Sequence, residues 1–310
     1  MSAPSKPVQW CPPDMRSVLL AALLLAGEAL AQTEDSPVEL TGTLAKVRAA
    51  SALTIAYRES SVPFSYLSAR NQPIGYSIEL CRKLAEAIGE AIGRELELKW
   101  LPVTSETRIE AITSGRADLE CGSTTNNLER QKLVAFSPII FVAGTKLLVR
   151  RGSPIRSYRD LGARTVVVTA GTTNEQAMRE IARRFKLELR LVTARDHGQS
   201  YAELEAGRAD AFATDDVLLY GLVAQRRAQK RYQVVGEFLS YDPYGIMFRK
   251  GDAQLAELVK RAFHDLAEDG EIERQYKRWF LQRLPSGESL DLPMSPQLES
   301  LIRAMAAKPE

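Results

Sequence analysis

The chain has 310 residues, 45% of them hydrophobic, and a formal net charge of +2 with acidic and basic residues mixed along its length. At ~100–200 residues per domain that length gives room for two domain-sized cores. The mixed charge excludes a nucleic-acid-binding patch and a polybasic membrane anchor, both of which need same-sign clusters.

From the N-terminus, Arg16 precedes an unbroken apolar run from Val18 to Ala26, and Ala29-Leu30-Ala31 offers a small-x-small cleavage site. Residues 1–31 therefore read as a secretory signal peptide, with the mature chain starting near Gln32 and Met15 as an alternative start. A spanning helix needs ~20 apolar residues, and Glu28 interrupts this run. Removal of the signal leaves Cys81 and Cys121, which permit one disulfide in an exported protein; the sequence leaves the pairing open. The only histidines are His197 and His264, and no Cys/His cluster has metal-ligand spacing. Neither a metal nor another cofactor is expected.

After the signal, strands are expected near Leu53–Tyr57, Leu96–Leu101 and Asp118–Cys121, alternating with helices over Ile78–Ile92 and Glu106–Ser114. This order predicts a parallel sheet. Gly115-Arg116-Ala117-Asp118 then recurs verbatim as Gly207-Arg208-Ala209-Asp210. Each copy follows a short helical segment and precedes a short apolar strand, so two similar lobes are implied. The second lobe reads as strand Thr165–Thr169, helix Asn174–Phe185, strand Glu188–Val192, helix Gln199–Ala206, strand Ala209–Thr214 and helix Val217–Arg226. Crossings at Lys146–Arg150 and Tyr241–Arg249 should join the lobes. Helices Ala253–Asp269 and Ile272–Leu284 would complete the first. The expected division is lobe 1 over 40–145, lobe 2 over 146–241, and a return to lobe 1 over 242–300.

In open α/β sheets ligands bind beyond the carboxyl ends of the strands, and the polar residues of interest fall there. Arg58 follows the first strand, Ser123 the third, Gly171-Thr172-Thr173 the first strand of lobe 2, and Asp215 its third. Gly122-Ser123-Thr124-Thr125-Asn126-Asn127-Leu128 with Arg130 resembles an anion-binding turn: glycine admits close backbone, hydroxyls donate, and the guanidinium fork pairs with a carboxylate. Arg130 could instead pair with Glu129 or Asp160 at the surface. Ser105 reads as an N-cap, which puts Arg108 at the third helical position, where the dipole disfavours a cation unless an anion is present. Thr172 forms a capping box with Glu175, and Asp215 or Asp216 should cap the next helix. His197 lies in a polar loop, and His264 on an amphipathic helix is structural.

Taken in order, Arg58 to Tyr66, Ser105 with Arg108, Gly122 to Arg130, Ser137, Gly171-Thr172-Thr173, Asp196-His197-Gly198 and Asp215-Asp216 resemble the periplasmic glutamate/aspartate-binding proteins. These are solute-binding subunits of ABC importers, and the resemblance spans roughly residues 43 to 300. It implies an α/β, two-lobed type II periplasmic-binding-protein fold, each lobe a mostly parallel sheet flanked by helices. It also implies a ligand set: Arg58, Ser105, Arg108 and His197 on the side-chain carboxylate, Ser123, Thr125, Arg130 and Thr173 on the α-carboxylate, and Asp215 on the α-amino group. L-glutamate or L-aspartate would be the ligand, the membrane permease subunits of an importer the partner, and the periplasm the location. A monomer is expected, with no nucleic acid.

Two other functions fit the same chain. A cyclohexadienyl dehydratase on this fold would need a general acid, for which Glu59 and Glu120 are the near-site carboxylates. A receptor sensor domain would need a membrane-spanning partner chain.

Overall fold

The structure is a computed structural model that describes residues 1, 3–10 and 39–307. The apolar run and cleavage site read as a signal peptide lie outside the described residues. Leu40–Glu310 forms one compact unit.

Helix α1 (Gly42–Ala50) leads into strand β1 (Ala52–Tyr57), the short strands β2 (Ser60–Ser61), β3 (Ser65–Leu67) and β4 (Pro73–Ile74), and helix α2 (Tyr76–Ile92). Strand β5 (Glu97–Pro102), helix α3 (Arg108–Thr113), strand β6 (Leu119–Cys121), helix α4 (Leu128–Gln131) and strand β7 (Val134–Phe136) follow. Strands β8 (Phe141–Ala143) and β9 (Thr145–Arg150) carry the chain onward. The next half contains β10 (Thr165–Thr169), α5 (Thr173–Phe185), β11 (Arg190–Ala194), α6 (His197–Glu205), β12 (Ala211–Asp215), α7 (Asp216–Gln225) and β13 (Tyr232–Val235). Strands β14 (Asp242–Tyr244) and β15 (Met247–Arg249) return, and helices α8 (Ala253–Glu268), α9 (Glu271–Tyr276) and α10 (Pro296–Ala306) end the chain.

Two five-stranded sheets result, ordered β5-β1-β6-β15-β7 and β11-β10-β12-β9-β13. In each, three strands pair in parallel, a fourth (β15 or β9) adds antiparallel at one edge, and the fifth (β7 or β13) pairs antiparallel to that fourth and so runs with the first three. Lys146–Arg150, expected as a crossing, lies in β9 of the second sheet, hydrogen-bonded between β12 and β13. The connection narrows instead to the antiparallel pair β8–β14, which forms its own two-stranded sheet. Each sheet thus receives its fourth strand from a segment running to or from this ribbon.

The tetrapeptide repeat has one structural job done twice. Gly115 and Gly207 sit at φ +76° and +74°, the left-handed conformation that ends a helix at low steric cost. The aspartate three residues on then clamps the first strand of its own sheet. Asp118 N–H donates to the Thr54 carbonyl at 2.8 Å, and its carboxylate accepts the Thr54 N–H at 2.9 Å. Asp210 does the same with Thr165, both bonds at 2.8 Å.

Burial follows the sequence pattern. Strand β1 is covered on both faces, as a strand central to a parallel sheet should be. Helix α2 buries Ile78, Cys81, Leu84, Ala85, Ile88 and Ile92 along one stripe and stops at Gly93, φ +63°. An aromatic cluster of Phe64, Tyr76, Phe141, Tyr244 and Phe280 packs beneath the ribbon, with ring centroids 5.0–6.1 Å apart among Phe64 and its four neighbours. The ribbon is therefore seated on the first lobe.

Cys81 and Cys121 are joined in a disulfide across 40 positions of sequence, tying α2 to the end of β6. In the chain-entropy account, closing a loop of that length contributes about 4 kcal/mol by restricting the unfolded chain. Replacing both cysteines with alanine should lower the denaturant-unfolding free energy by about 2–5 kcal/mol, read from the urea midpoint at unchanged slope. A loss well under 1 kcal/mol would mean the bond adds nothing the packing of α2 does not already supply.

Candidate functional site

The carboxyl ends of β1, β6, β10 and β12 face one another across the two lobes, and the strand-to-helix turns there supply the polar groups. Arg58 leaves β1 and is fixed by its own backbone: its N–H donates to Ser65 Oγ at 2.9 Å, and Ser65 Oγ donates back to its carbonyl at 3.2 Å. Its side chain is 1% exposed, and neither Nη1 nor Nη2 has a protein partner. Burial first, then the charge of Arg108, push its pKa down to about 9, against the attraction of Glu120 and Asp196.

Sequence reasoning misplaced the start of α3. Thr104 and Thr107 exchange side-chain to backbone hydrogen bonds at 3.0 and 3.3 Å, and the helix begins at Arg108. Ser105 is therefore not the N-cap; its hydroxyl is buried and unpartnered. Arg108 occupies the first helical position and donates from Nη1 to Thr124 Oγ1 at 2.7 Å, leaving Nε without a partner. Its pKa is lowered by burial, with Glu120 opposing.

The turn after β6 is held on several sides. The Cys121 disulfide anchors its start, and Ser77 Oγ donates to the Gly122 carbonyl at 2.8 Å. Gly245 N–H donates to the Thr124 carbonyl at 3.1 Å, and Asn126 N–H to the Pro243 carbonyl at 2.7 Å. Asn127 caps α4 through its side chain, and Arg130 Nη1 donates to the Thr125 carbonyl at 2.8 Å. Arg130 is 8% exposed, and burial followed by Arg108 lowers its pKa to about 9. It does not form the surface pair with Glu129, whose carboxylate goes to Lys132.

From the second lobe, Thr172 caps α5 by accepting the Glu175 N–H at 3.1 Å, while Glu175 reaches Gly171 N–H rather than that of Thr172. Thr173 Oγ1 lies 3.2 Å from Thr125 Oγ1, a hydroxyl contact from lobe to lobe. His197 is not in a loop. It opens α6 behind the N-cap Asp196, is 2% exposed, and places Nδ1 2.9 Å from Thr169 Oγ1. Burial, then Arg58 and Arg108, hold its pKa well below the ordinary imidazole value, so the ring is neutral. Asp215 has the backbone of an N-cap but makes no side-chain capping bond. Its carboxylate accepts from Asn174 Nδ2 at 2.7 Å and from the Tyr244 hydroxyl. Burial, then Asp242, push its pKa well above the usual carboxylate range.

These groups close around a cavity of only about 10 Å³, a single water-sized space, so the lobes are shut on each other here. Seven of the nine residues expected from sequence line it: Ser105, Arg108, Ser123, Thr125, Thr173, His197 and Asp215. Arg58 and Arg130 stand outside that lining. A wider hollow of about 510 Å³ lies near Lys46 and Asp118. There the cation already has its carboxylate at 2.7 Å, whereas the small cavity combines burial with unpartnered donors.

Three further participants, Asn174, Asp242 and Tyr244, are not legible as site residues in the sequence, and Glu120 is legible there only as a near-site carboxylate for a general acid. Glu120, fully buried, accepts from Thr124 Oγ1 at 2.7 Å. Asp242 accepts from Thr125 Oγ1 at 3.0 Å. Asn174 and Tyr244 hold Asp215. The available signals were a carboxylate inside an otherwise apolar strand at Glu120, and Asp242 and Tyr244 flanking Pro243 in the return crossing.

Chemically, the gathered guanidinium and hydroxyl donors suit an anionic group and the buried Asp215 carboxylate a cationic one, while the shut lobes leave room for little more than one water. The chain is 41% identical over 299 residues to the L-glutamate/L-aspartate-binding protein of Pseudomonas aeruginosa, covering 96% of this chain and 97% of that one. It is 37% identical over 289 residues to the glutamate/aspartate import solute-binding protein of Escherichia coli, covering 93% and 95%. Among solved structures, a mutant of ArgBP from T. maritima superposes with a TM-score of 0.70 at 25% identity, over 78% of this chain and all of that one. Residues 53–282 match the profile of one family over most of the folded chain. With its two lobes and cleft of the type II periplasmic-binding kind, the chain belongs to the bacterial extracellular solute-binding proteins, family 3.

Proposed function

We propose that the protein captures acidic L-amino acids, glutamate and aspartate, in the cleft between its lobes and delivers them to the membrane permease subunits of an ABC importer. The observation that carries this is the set of unpartnered donors, Arg58 Nη1 and Nη2, Arg108 Nε, Ser105 Oγ and Ser123 Oγ, buried opposite an aspartate of raised pKa. Arg58, Ser105, Arg108 and His197 would take the side-chain carboxylate. Ser123, Thr125, Arg130 and Thr173 would take the α-carboxylate, and Asp215 the ammonium. The neutral His197 contributes a hydrogen bond rather than a charge. The names of the relatives from P. aeruginosa and E. coli support the same ligands.

In this reading the protein acts in the periplasm as a monomer after removal of the leader before Gln32, and the lobes close about the β8–β14 ribbon. Closure is the means of capture because the proposed ligand groups are divided between lobes, so only the closed state satisfies both ends of the ligand. A dehydratase is less well supported. Glu59 is exposed, and Glu120 is committed to Thr124, so neither lines the cavity.

Calorimetric titration of ligand-stripped protein should show tight binding of L-glutamate and L-aspartate and strong discrimination against L-glutamine and L-lysine. Tight binding of glutamine or of prephenate with no response to glutamate would overturn the assignment.

The two ends of the ligand can be separated by mutation. Arg108→Ala should weaken the acidic amino acids far more than glutamine, whereas Arg130→Ala should weaken every α-amino acid alike. Each loss is expected at about 2–5 kcal/mol, because a desolvated charged partner is left unpaired. Matching selectivity profiles for the two variants would refute the division of roles.

Protonation supplies a third test. A ligand ammonium beside Asp215 favours its ionised form and brings its raised pKa down. Binding therefore releases a proton wherever the pH lies between the liganded and unliganded values, and affinity falls as the pH drops through that window. His197 carries the opposite sign, since a carboxylate would raise its depressed pKa and cause proton uptake wherever the pH lies between its unliganded and liganded values. Calorimetry in buffers of different ionisation enthalpy should find release, lost in Asp215→Asn. Uptake at neutral pH would shift the linkage from Asp215 to His197.

A further inference from the structure

Glu120 lies in β6, and Gly122 and Thr124 lie in the turn that follows it. The middle one must be glycine for reasons of space. A Cβ there would come within 2.3 Å of Glu120 Oε1 and 2.9 Å of Arg58 Cγ. The gap lets the Glu120 carboxylate run along the segment to Thr124, whose hydroxyl donates to Oε2 at 2.7 Å. Thr124 Oγ1 in turn accepts from Arg108 Nη1 at 2.7 Å. The arginine and the carboxylate are thus linked through one hydroxyl. Among the described residues Glu120 makes no direct salt bridge, and its Oε1 has no partner although the residue is fully buried.

We propose that Glu120 is a positioning residue that sets the charge for which the side-chain end of the cleft is selective. This rests on the assignment of Arg58 and Arg108 to the ligand's side-chain carboxylate. Asp196 is paired with Arg195 at 3.6 Å and Asp215 is assigned to the ligand's ammonium, so two guanidinium charges less the Glu120 carboxylate leave one positive charge, which a single side-chain carboxylate balances. A neutral side chain leaves that charge buried and unbalanced, and a dianionic one over-balances it. The attraction of Glu120 for Arg58, Arg108 and Arg130 acts against the burial that disfavours all three cations. The hydroxyl link also directs one Arg108 nitrogen at Thr124 and so turns the remaining donors toward the cavity.

The test is Glu120→Gln, which keeps an oxygen to accept from Thr124 and removes the charge. Affinities for L-glutamate, L-glutamine and O-phospho-L-serine are measured for wild type and variant, with Glu120→Asp as a charge-preserving control. In Glu120→Gln the ratio of glutamate to glutamine affinity should rise on the order of tenfold, as expected for a unit charge several ångströms away at intermediate dielectric. The phosphoserine to glutamate ratio should rise in the same direction, and Glu120→Asp should leave both ratios near wild type while lowering all three affinities. Equal weakening of all ligands by Glu120→Gln would assign Glu120 a purely structural role and overturn the proposal. If Glu120→Gln is recovered folded only with ligand present, rescue by glutamate but not glutamine supports the proposal, and rescue by neither overturns it. Wild-type protein that binds no glutamate would instead refute the ligand assignment on which the proposal stands.

Discussion

Three guanidinium groups are withdrawn from water into one narrow cleft, and much of the surrounding structure answers that electrostatic cost. Arg58, Arg108 and Arg130 are all 8% exposed or less, and burial is the first cause of lowered pKa in each. A guanidinium keeps its proton under ordinary conditions, so the depression expresses an unfavourable free energy of burial rather than a loss of charge. Glu120, Asp242 and Asp215 offset part of it. What is left is the charge that the proposed anionic ligand would balance.

That charge is useful only if the donors are held where an anion can meet them, and the turn after β6 is held accordingly. The disulfide at Cys121, the Ser77 hydroxyl on the Gly122 carbonyl and the backbone bonds to Pro243 and Gly245 fix it before any ligand arrives. Such preorganisation lowers the conformational entropy to be lost on binding. The return strand serves both lobes at once. The Tyr244 ring belongs to the aromatic cluster of lobe 1, while its hydroxyl donates to Asp215 of lobe 2. Movement at the β8–β14 ribbon is thereby coupled to the carboxylate proposed to hold the ligand's ammonium group.

The strands, the order of helices and the doubled lobe were legible because apolar periodicity and the repeated Gly-Arg-Ala-Asp are local signals with a direct physical meaning. The left-handed glycine and the strand-clamping aspartate need no distant partner to be inferred. What failed depended on competition between nearby residues. Ser105 reads as a cap from its position, but Thr104 and Thr107 satisfy one another and release it. His197 reads as a loop residue because Asp196 was not recognised as a cap. The disulfide, and the roles of Glu120, Asn174, Asp242 and Tyr244, depend on contacts between residues as much as 117 positions apart, as for Thr125 and Asp242, which no local pattern carries. Lys146–Arg150 reads as a crossing because antiparallel addition of β9 to a parallel sheet leaves no periodic trace in the strand itself.

The closed arrangement also explains a residue that helix propensity alone disfavours. Gly221 lies in the interior of the apolar helix α7, where glycine costs about 1 kcal/mol relative to alanine. A Cβ there would sit 2.1 Å from the Val62 carbonyl oxygen, so the helix of one lobe lies directly against the backbone of the other. At the other end of the contact, Gly198 N–H donates to Ser60 Oγ at 3.2 Å and joins α6 to the β2 segment. Lobes that meet through backbone rather than through long side chains have little slack, so a small misfit in the cleft cannot be absorbed at the rim. A ligand one charge or a few atoms wrong must then either hold the lobes apart or leave a buried guanidinium unmatched. Steric closeness at the lobe contact and charge balance in the cleft therefore act on the same closing step, and selectivity comes from requiring both together.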